Sequence, residues 1–172
     1  MALTLLRHAA LAPKYQGRYN GWTNLSIDHT RYTKSKVSLL QQQYFDKIYS
    51  SDLIRCQETL MVMGMEIYTT DTRLREVAFK PHIEGLNFEE IRKLPSYKEE
   101  YLQNQEAWHN YICAETQIDF EQRIKSFLAD IPTNEEILIC SHGGTLQKMM
   151  TMLGYAKESI DYLEWIRIEN GI

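Results

Sequence analysis

A chain of 172 residues with a formal charge of −4 and 44% hydrophobic residues has the length and composition of one globular domain, residues 1–172, with enough chain to bury a core. The acidic balance speaks against a nucleic-acid binder, for which a basic face is expected, and no apolar run reaches the roughly 18 residues that span a bilayer. The opening residues lack the basic flank and cleavage site of a secretion signal. Cys56, Cys113 and Cys140 make no disulfide framework, so a reducing cytoplasm is the expected setting.

Ala2 to Arg7 reads as a strand, because Leu3, Leu5 and Leu6 form an apolar run that delivers His8 at its end. The loop from Ala9 to about Asp28 is rich in Gly, Pro and Asn and longer than most connectors, which marks it as functional or disordered. Thr30 to Gln43 is expected to be a helix, Lys47 to Ser50 a strand, and Leu53 to Met63 a helix with Asp52 near its N-terminus. Glu66 to Thr69 reads as a third strand. From Asn87 to Asp130 the chain is charged and helical, broken at Pro95, and Asn87 with Glu90 has the spacing of a capping box. Tyr101, Leu102, Trp108 and Ile112 fall on one helical face; Phe120, Ile124, Phe127, Leu128 and Ile131 fall on another. Residues 77–115 are expected to form a helical lid region, with the following helix packed on the sheet.

Ile137 to Cys140 is the second apolar run to end on a histidine, His142. The helix after it turns Leu146, Met149, Met150 and Leu153 inward, and Tyr162 to Ile168 is expected as an edge strand. Strands alternating with helices predict an α/β fold: a three-layer sandwich with a mostly parallel central sheet and a small helical lid insertion. Ligands of such sheets bind outside the carboxyl ends of the strands, where His8 and His142 would meet.

Arg7 accompanies His8, and that pairing suggests an oxyanion site. A neutral imidazole is a competent nucleophile near neutral pH. A phosphoryl group in transfer spreads charge over its equatorial oxygens, and planar, permanently charged guanidinium groups suit those oxygens. Arg55, in the first turn of its helix, is the second such donor. Glu76, flanked by apolar residues, is a candidate general acid for a leaving oxygen. Gly143 and Gly144 let backbone approach an anion at a helix N-terminus. The run from Cys140 to Leu146 superficially resembles a cysteine phosphatase loop, but Leu146 stands where that chemistry needs an arginine. The Gly143-Gly144-Thr145 sequence also lacks the lysine of a nucleotide P-loop.

Five segments resemble the histidine phosphatase superfamily in its phosphoglycerate mutase-like branch, and they occur in that family's order. They are Leu5-Leu6-Arg7-His8, Gly17 to Leu25, Tyr49 to Thr59, Leu74-Arg75-Glu76 with Glu84-Gly85-Leu86, and Ser141-His142-Gly143-Gly144. The resemblance implies that His8 becomes phosphorylated, that Arg7, Arg55 and His142 hold the phosphoryl group, and that Glu76 protonates the alkoxide and then assists water. Asn20 and Gly143 are further candidate substrate contacts. Lys14, where an asparagine often touches phosphate in the family, is another. Ala9 and Ala10 replace a frequent Gly-Glu pair, and Ala78 and Lys80 depart from the acid-bearing segment. No metal or organic cofactor is implied.

The resemblance implies a metal-independent phosphomonoesterase acting on a small phosphorylated metabolite, similar in length to broad-specificity and α-ribazole phosphatases. Phosphoglycerate mutase-type transfer and a non-catalytic phospholigand-binding protein stand as alternatives. No nucleic acid or membrane partner is expected, and a homodimer is left open.

Overall fold

Alternating side chains along the inner strands build the two faces of the sheet. The computed structural model describes residues 2–155 and 159–169. Its strands are β1 (Ala2–Arg7), β2 (Lys47–Ser50), β3 (Thr69–Thr70), β4 (Glu136–Ser141) and β5 (Trp165–Glu169), in the order β3-β2-β4-β1-β5. All neighbours pair in parallel except β5, which runs antiparallel to β1. Leu3, Leu5, Ile137 and Ile139 point to the face covered by α5 (Gln117–Asp130) and α6 (Gly143–Met152), meeting Phe120, Ile124, Phe127, Leu146, Met149 and Met150. Leu6, Leu138 and Cys140 point the other way, onto Cys56 and Leu60 of α2 (Ile54–Val62) and onto Val37 and Leu40. Residues spaced by two along a strand share a face, so the predicted apolar runs supply both cores at once. The result is the three-layer α/β sandwich that the sequence predicted.

Three local expectations change. Thr30 to Gln43 is not one helix but a 3-10 turn (His29–Arg31), the short α1 (Lys34–Val37) and another 3-10 turn (Leu40–Gln42). Thr33, Ser35 and Ser38 lie there, and hydroxyl side chains compete for the backbone bonds a helix needs: Ser38 Oγ donates to Ser35 O at 3.1 Å. Only Thr69 and Thr70 pair beside Tyr49 and Ser50, so the third strand lies later than Glu66–Thr69. Tyr162 and Leu163 form a turn, and the antiparallel edge strand begins at Trp165.

The segment between Val77 and Glu115 packs on a cluster of its own, with Ile83, Ile91, Tyr111, Ile112 and Cys113 buried. It contains α3 (Phe88–Ile91), opened by the expected Asn87–Glu90 capping box, and α4 (Gln105–Ile112). Tyr101 lies in the 3-10 turn ahead of α4 rather than on its face, and stacks on Tyr111 with centroids 4.3 Å apart.

Candidate active site

Parallel pairing of β1 with β4 sets Arg7 opposite Ser141, so the chain leaves both strands with His8 beside His142. Their ring centroids are 5.2 Å apart. The rings line a cavity of about 130 Å³ whose walls also include Arg7, Arg18, Asn20, Arg55, Glu76 and Gly143.

His8 is 4% exposed, and its Nδ1 lies 2.7 Å from Ala9 O. A carbonyl only accepts, so the proton sits on Nδ1 and Nε2 keeps its lone pair. Ala9 is itself held, its N–H donating to Thr59 Oγ1 at 2.8 Å. Burial foremost, then the charges of Arg55 and Arg7, push the His8 pKa well below its usual 6.5.

Arg55 is 1% exposed, although its charge is permanent. Its Nε donates to His142 Nδ1 at 3.0 Å, Nη1 to Thr23 O at 2.8 Å and Nη2 to Gly21 O at 2.7 Å. The guanidinium thus ties the long loop after β1 to the end of β4. A Cβ on Gly21 would lie 2.7 Å from Val77 O, so the loop can pass this close only as glycine. Because Arg55 Nε can only donate, His142 Nδ1 is unprotonated, and its Nε2–H donates to Ser51 Oγ at 2.8 Å. Burial first, and Arg55 next, hold the His142 pKa well below the usual 6.5. Both ring nitrogens therefore serve protein partners, which the sequence did not suggest.

Both neutral histidines have a consequence for stability. An unfolded histidine gains its proton as pH falls through about 6.5, while the folded rings resist until well below that value. From about pH 6.5 down to those lower folded values, the unfolded state binds up to two more protons. Stability is expected to fall there by up to about 2.7 kcal/mol per pH unit. Urea melts across this range in phosphate-free buffer check it, and a stability unchanged down to about pH 5 would contradict the assignment.

Arg7 donates from Nη1 to Ile160 O at 2.7 Å, and its Nε is buried without a hydrogen-bond partner among the described residues. The Tyr162 ring covers the guanidinium at 4.1 Å and lies 5.5 Å from the His8 ring. Leu163, next in the turn, has φ of 60°. That is the left-handed region, strained for a branched residue. Its N–H donates to Arg7 O at 3.2 Å, which fixes the turn against β1.

Glu76 lies at the mouth of α6. Its Oε2 accepts from Gly144 N at 3.0 Å; its Oε1 accepts from Val77 N at 3.0 Å and Thr145 N at 3.1 Å. The expected open helix N-terminus is thus partly taken up by this carboxylate. Arg123 of α5 holds the loop from behind, donating to Arg73 O, Arg75 O and Glu76 O at 2.6, 2.9 and 3.0 Å. It also pairs with Glu115 at 2.5 Å. A Cβ on Gly144 would stand 2.6 Å from Glu76 Oε1, the end of a flexible side chain. Gly144→Ala is therefore expected to leave stability nearly unchanged while displacing the carboxylate. Turnover of alkyl phosphates, which need a proton on the leaving oxygen, should fall about tenfold or more. Hydrolysis of p-nitrophenyl phosphate, whose leaving group departs readily, should fall less, and equal losses would refute the link.

Of the predicted site residues, Arg7, His8, Asn20, Arg55, Glu76, His142 and Gly143 all line the cavity. Lys14 does not: it is exposed, with Nζ 4.9 Å from the centroid of its neighbour Tyr15. The 3-10 turn Pro13–Tyr15 directs it outward. His82 is also exposed. Tyr162, Ser51, Arg18 and Arg123 were not singled out. Arg18, in the Gly-rich segment, forks onto Glu90 at 2.6 and 3.1 Å. Cys140 is fully buried, and burial foremost pushes its thiol well up, so it stays neutral. Among the described residues, no three His, Cys, Asp or Glu side chains gather as metal ligands, and no helix is long and apolar enough to cross a membrane.

A candidate phosphoserine phosphatase of Hydrogenobacter thermophilus is 30% identical over 162 residues, covering 88% of this chain and 77% of its own. The protein TTHB049 of Thermus thermophilus superposes with a TM-score of 0.73 at 24% identity, covering 98% of this chain and 94% of that one. A mycobacterial glucosyl-3-phosphoglycerate phosphatase gives 0.74 at 19% identity, covering 96% and 88%. These two structures speak for the fold alone. Residues 3–170 match the histidine phosphatase superfamily (branch 1), and the chain belongs to that superfamily.

Proposed function

We propose that the chain is a phosphomonoesterase that works through a phosphohistidine on His8. The observation that carries this reading is the His8 tautomer: Nδ1 is committed to Ala9 O, while Nε2 is left for attack inside a buried cavity bearing two guanidinium groups. Nε2 attacks phosphorus, the phosphorus–oxygen ester bond breaks, and Glu76, entering the cycle as the carboxylic acid, hands its proton to the departing alkoxide. Water then attacks the phosphohistidine, Glu76 takes a proton from that water, and phosphate leaves with His8 restored. Arg7 and Arg55 place fixed positive charge beside the three phosphoryl oxygens, where a preorganised, water-poor setting makes it most effective.

Neutral His142 acts in this scheme as the acceptor that holds the Arg55 Nε–H. A lowered His8 pKa supports the reading too, since the nucleophile stays unprotonated in mildly acidic solution. The name carried by the Hydrogenobacter thermophilus relative, a phosphatase, favours ester cleavage as the outcome.

Quenching the enzyme in alkali during turnover should trap a phosphoryl group that survives base and is lost in acid. Fragment masses should place it on the peptide containing His8. A labelled enzyme carrying the group elsewhere, or no label under turnover, would overturn the reading.

A further inference from the structure

The phosphoryl cavity is small, about 130 Å³, and the alcohol half of an ester must extend out of it. Two larger spaces adjoin it. One, of about 400 Å³, lies beyond Tyr162 and carries Arg31 and Lys36. The other is a groove of about 360 Å³ that shares Tyr19 and Phe79 with the cavity and continues along Trp108, Ile112 and Phe120, with the neutral amides of Gln105 and Gln117 and the His109 ring on the same walls.

The direction of the reaction chooses between them. In phosphoryl transfer the attacking and leaving atoms stand roughly in line across phosphorus. The leaving oxygen must also come to Glu76, whose carboxylate lies on the N–H of Gly144. Gly144 lines the aromatic groove and not the space beyond Tyr162. The alcohol therefore departs toward Tyr19 and Phe79.

The groove's chemistry describes its occupant. Tyr19 meets Phe79 edge-on, with centroids 5.2 Å apart at 87°, and Trp108 lies 6.2 Å from Tyr19. Such rings accept further aromatic faces and edges. Lys148 at the rim is paired with Glu121 at 2.8 Å. Burial, with Glu115 and Glu76 behind it, pushes the Cys113 thiol up to about 12, so it adds no charge near neutral pH. His109 Nε2 is taken by Glu115 O at 2.9 Å, so among the described residues a carboxylate-bearing alcohol would find no unpaired cation along these walls.

We propose that this groove takes the alcohol half of the substrate and selects a neutral aromatic or broadly apolar alcohol over a small acidic one. The proposal rests on the phosphomonoesterase reading, and the test separates the two. The probes are phenyl, 1-naphthyl and 3-carboxyphenyl phosphate, whose leaving groups are of similar acidity, so differences in kcat/KM report binding of the alcohol.

The naphthyl ester is expected to exceed the phenyl ester about tenfold, through burial of its second ring. The carboxyphenyl ester should fall below phenyl by a similar factor, because its charge loses water without gaining a partner. Trp108→Ala should shrink the naphthyl preference to about twofold, with Trp108→Phe keeping most of it. A carboxyphenyl ester as good as phenyl, or a naphthyl preference unmoved in folded Trp108→Ala, would overturn the proposal. The ester ranking in the unaltered enzyme is decisive even where the alanine variant does not fold. Turnover that survives in His8→Ala would instead sink the phosphohistidine reading, whatever the ranking.

Discussion

His8→Ala is expected to lower turnover of p-nitrophenyl phosphate by a factor on the order of 10⁴ to 10⁶, the scale on which removing a covalent nucleophile acts. Among the described residues the ring makes no hydrogen bond beyond Nδ1 to Ala9 O, so the variant should fold. Its thermal unfolding at neutral pH should stay close to that of the parent. Binding and catalysis should separate in it: Arg7 and Arg55 remain, and inorganic phosphate should still raise its melting temperature by mass action. Steady-state rates with EDTA present, beside melting curves with and without phosphate, check both halves. Turnover within about tenfold of the parent would remove His8 from the mechanism.

The second large effect is expected at Arg55. Arg55→Met removes the donor to His142 and strips Thr23 O and Gly21 O of their partners. Loss of one fixed donor to a transition-state oxyanion costs about 10²- to 10³-fold in kcat. Each buried acceptor left unpaired costs about 1–3 kcal/mol. Burying a guanidinium is itself unfavourable, as its pKa, lowered chiefly by desolvation, shows. Removing it returns part of that loss, and the net destabilisation is expected at about 2–4 kcal/mol. Arg55→Lys should not rescue activity, because an ammonium cannot reproduce a planar fork spread over three partners. Phosphate should raise the melting temperature of either variant less than that of the parent. A folded Arg55→Met enzyme with parental kcat would show that this cation takes no part.

The strands that bring His8 and His142 together were legible because their physics is local. Apolar runs such as Leu3 to Leu6 and Ile137 to Cys140 can only be satisfied inside a sheet, and the sheet's polarity then places their ends. Thr30 to Gln43 resisted because its apolar spacing suits a helix while its hydroxyl side chains do not. Lys14 was misplaced because charge alone does not show which way a turn directs a side chain. Arg123 resembles any cation on an amphipathic helix; only the fold reveals three backbone carbonyls in front of it. Tyr162 belongs to a turn held by Arg7 O, a contact spanning nearly the whole chain, with no signature in its neighbours. The double engagement of His142 was likewise invisible, since it depends on Ser51 and Arg55 converging from another element.

The Arg123 guanidinium bonds three carbonyls between Arg73 and Glu76 while its own helix is packed into the core through Phe120, Ile124 and Phe127. One wall of the reaction chamber therefore moves only as α5 moves. The long loop after β1 is held in a comparable way, its Thr23 and Gly21 carbonyls accepting from Arg55 of α2. Both sides of the chamber are thus fixed by guanidinium groups rooted in helices, so its shape is set before any substrate arrives.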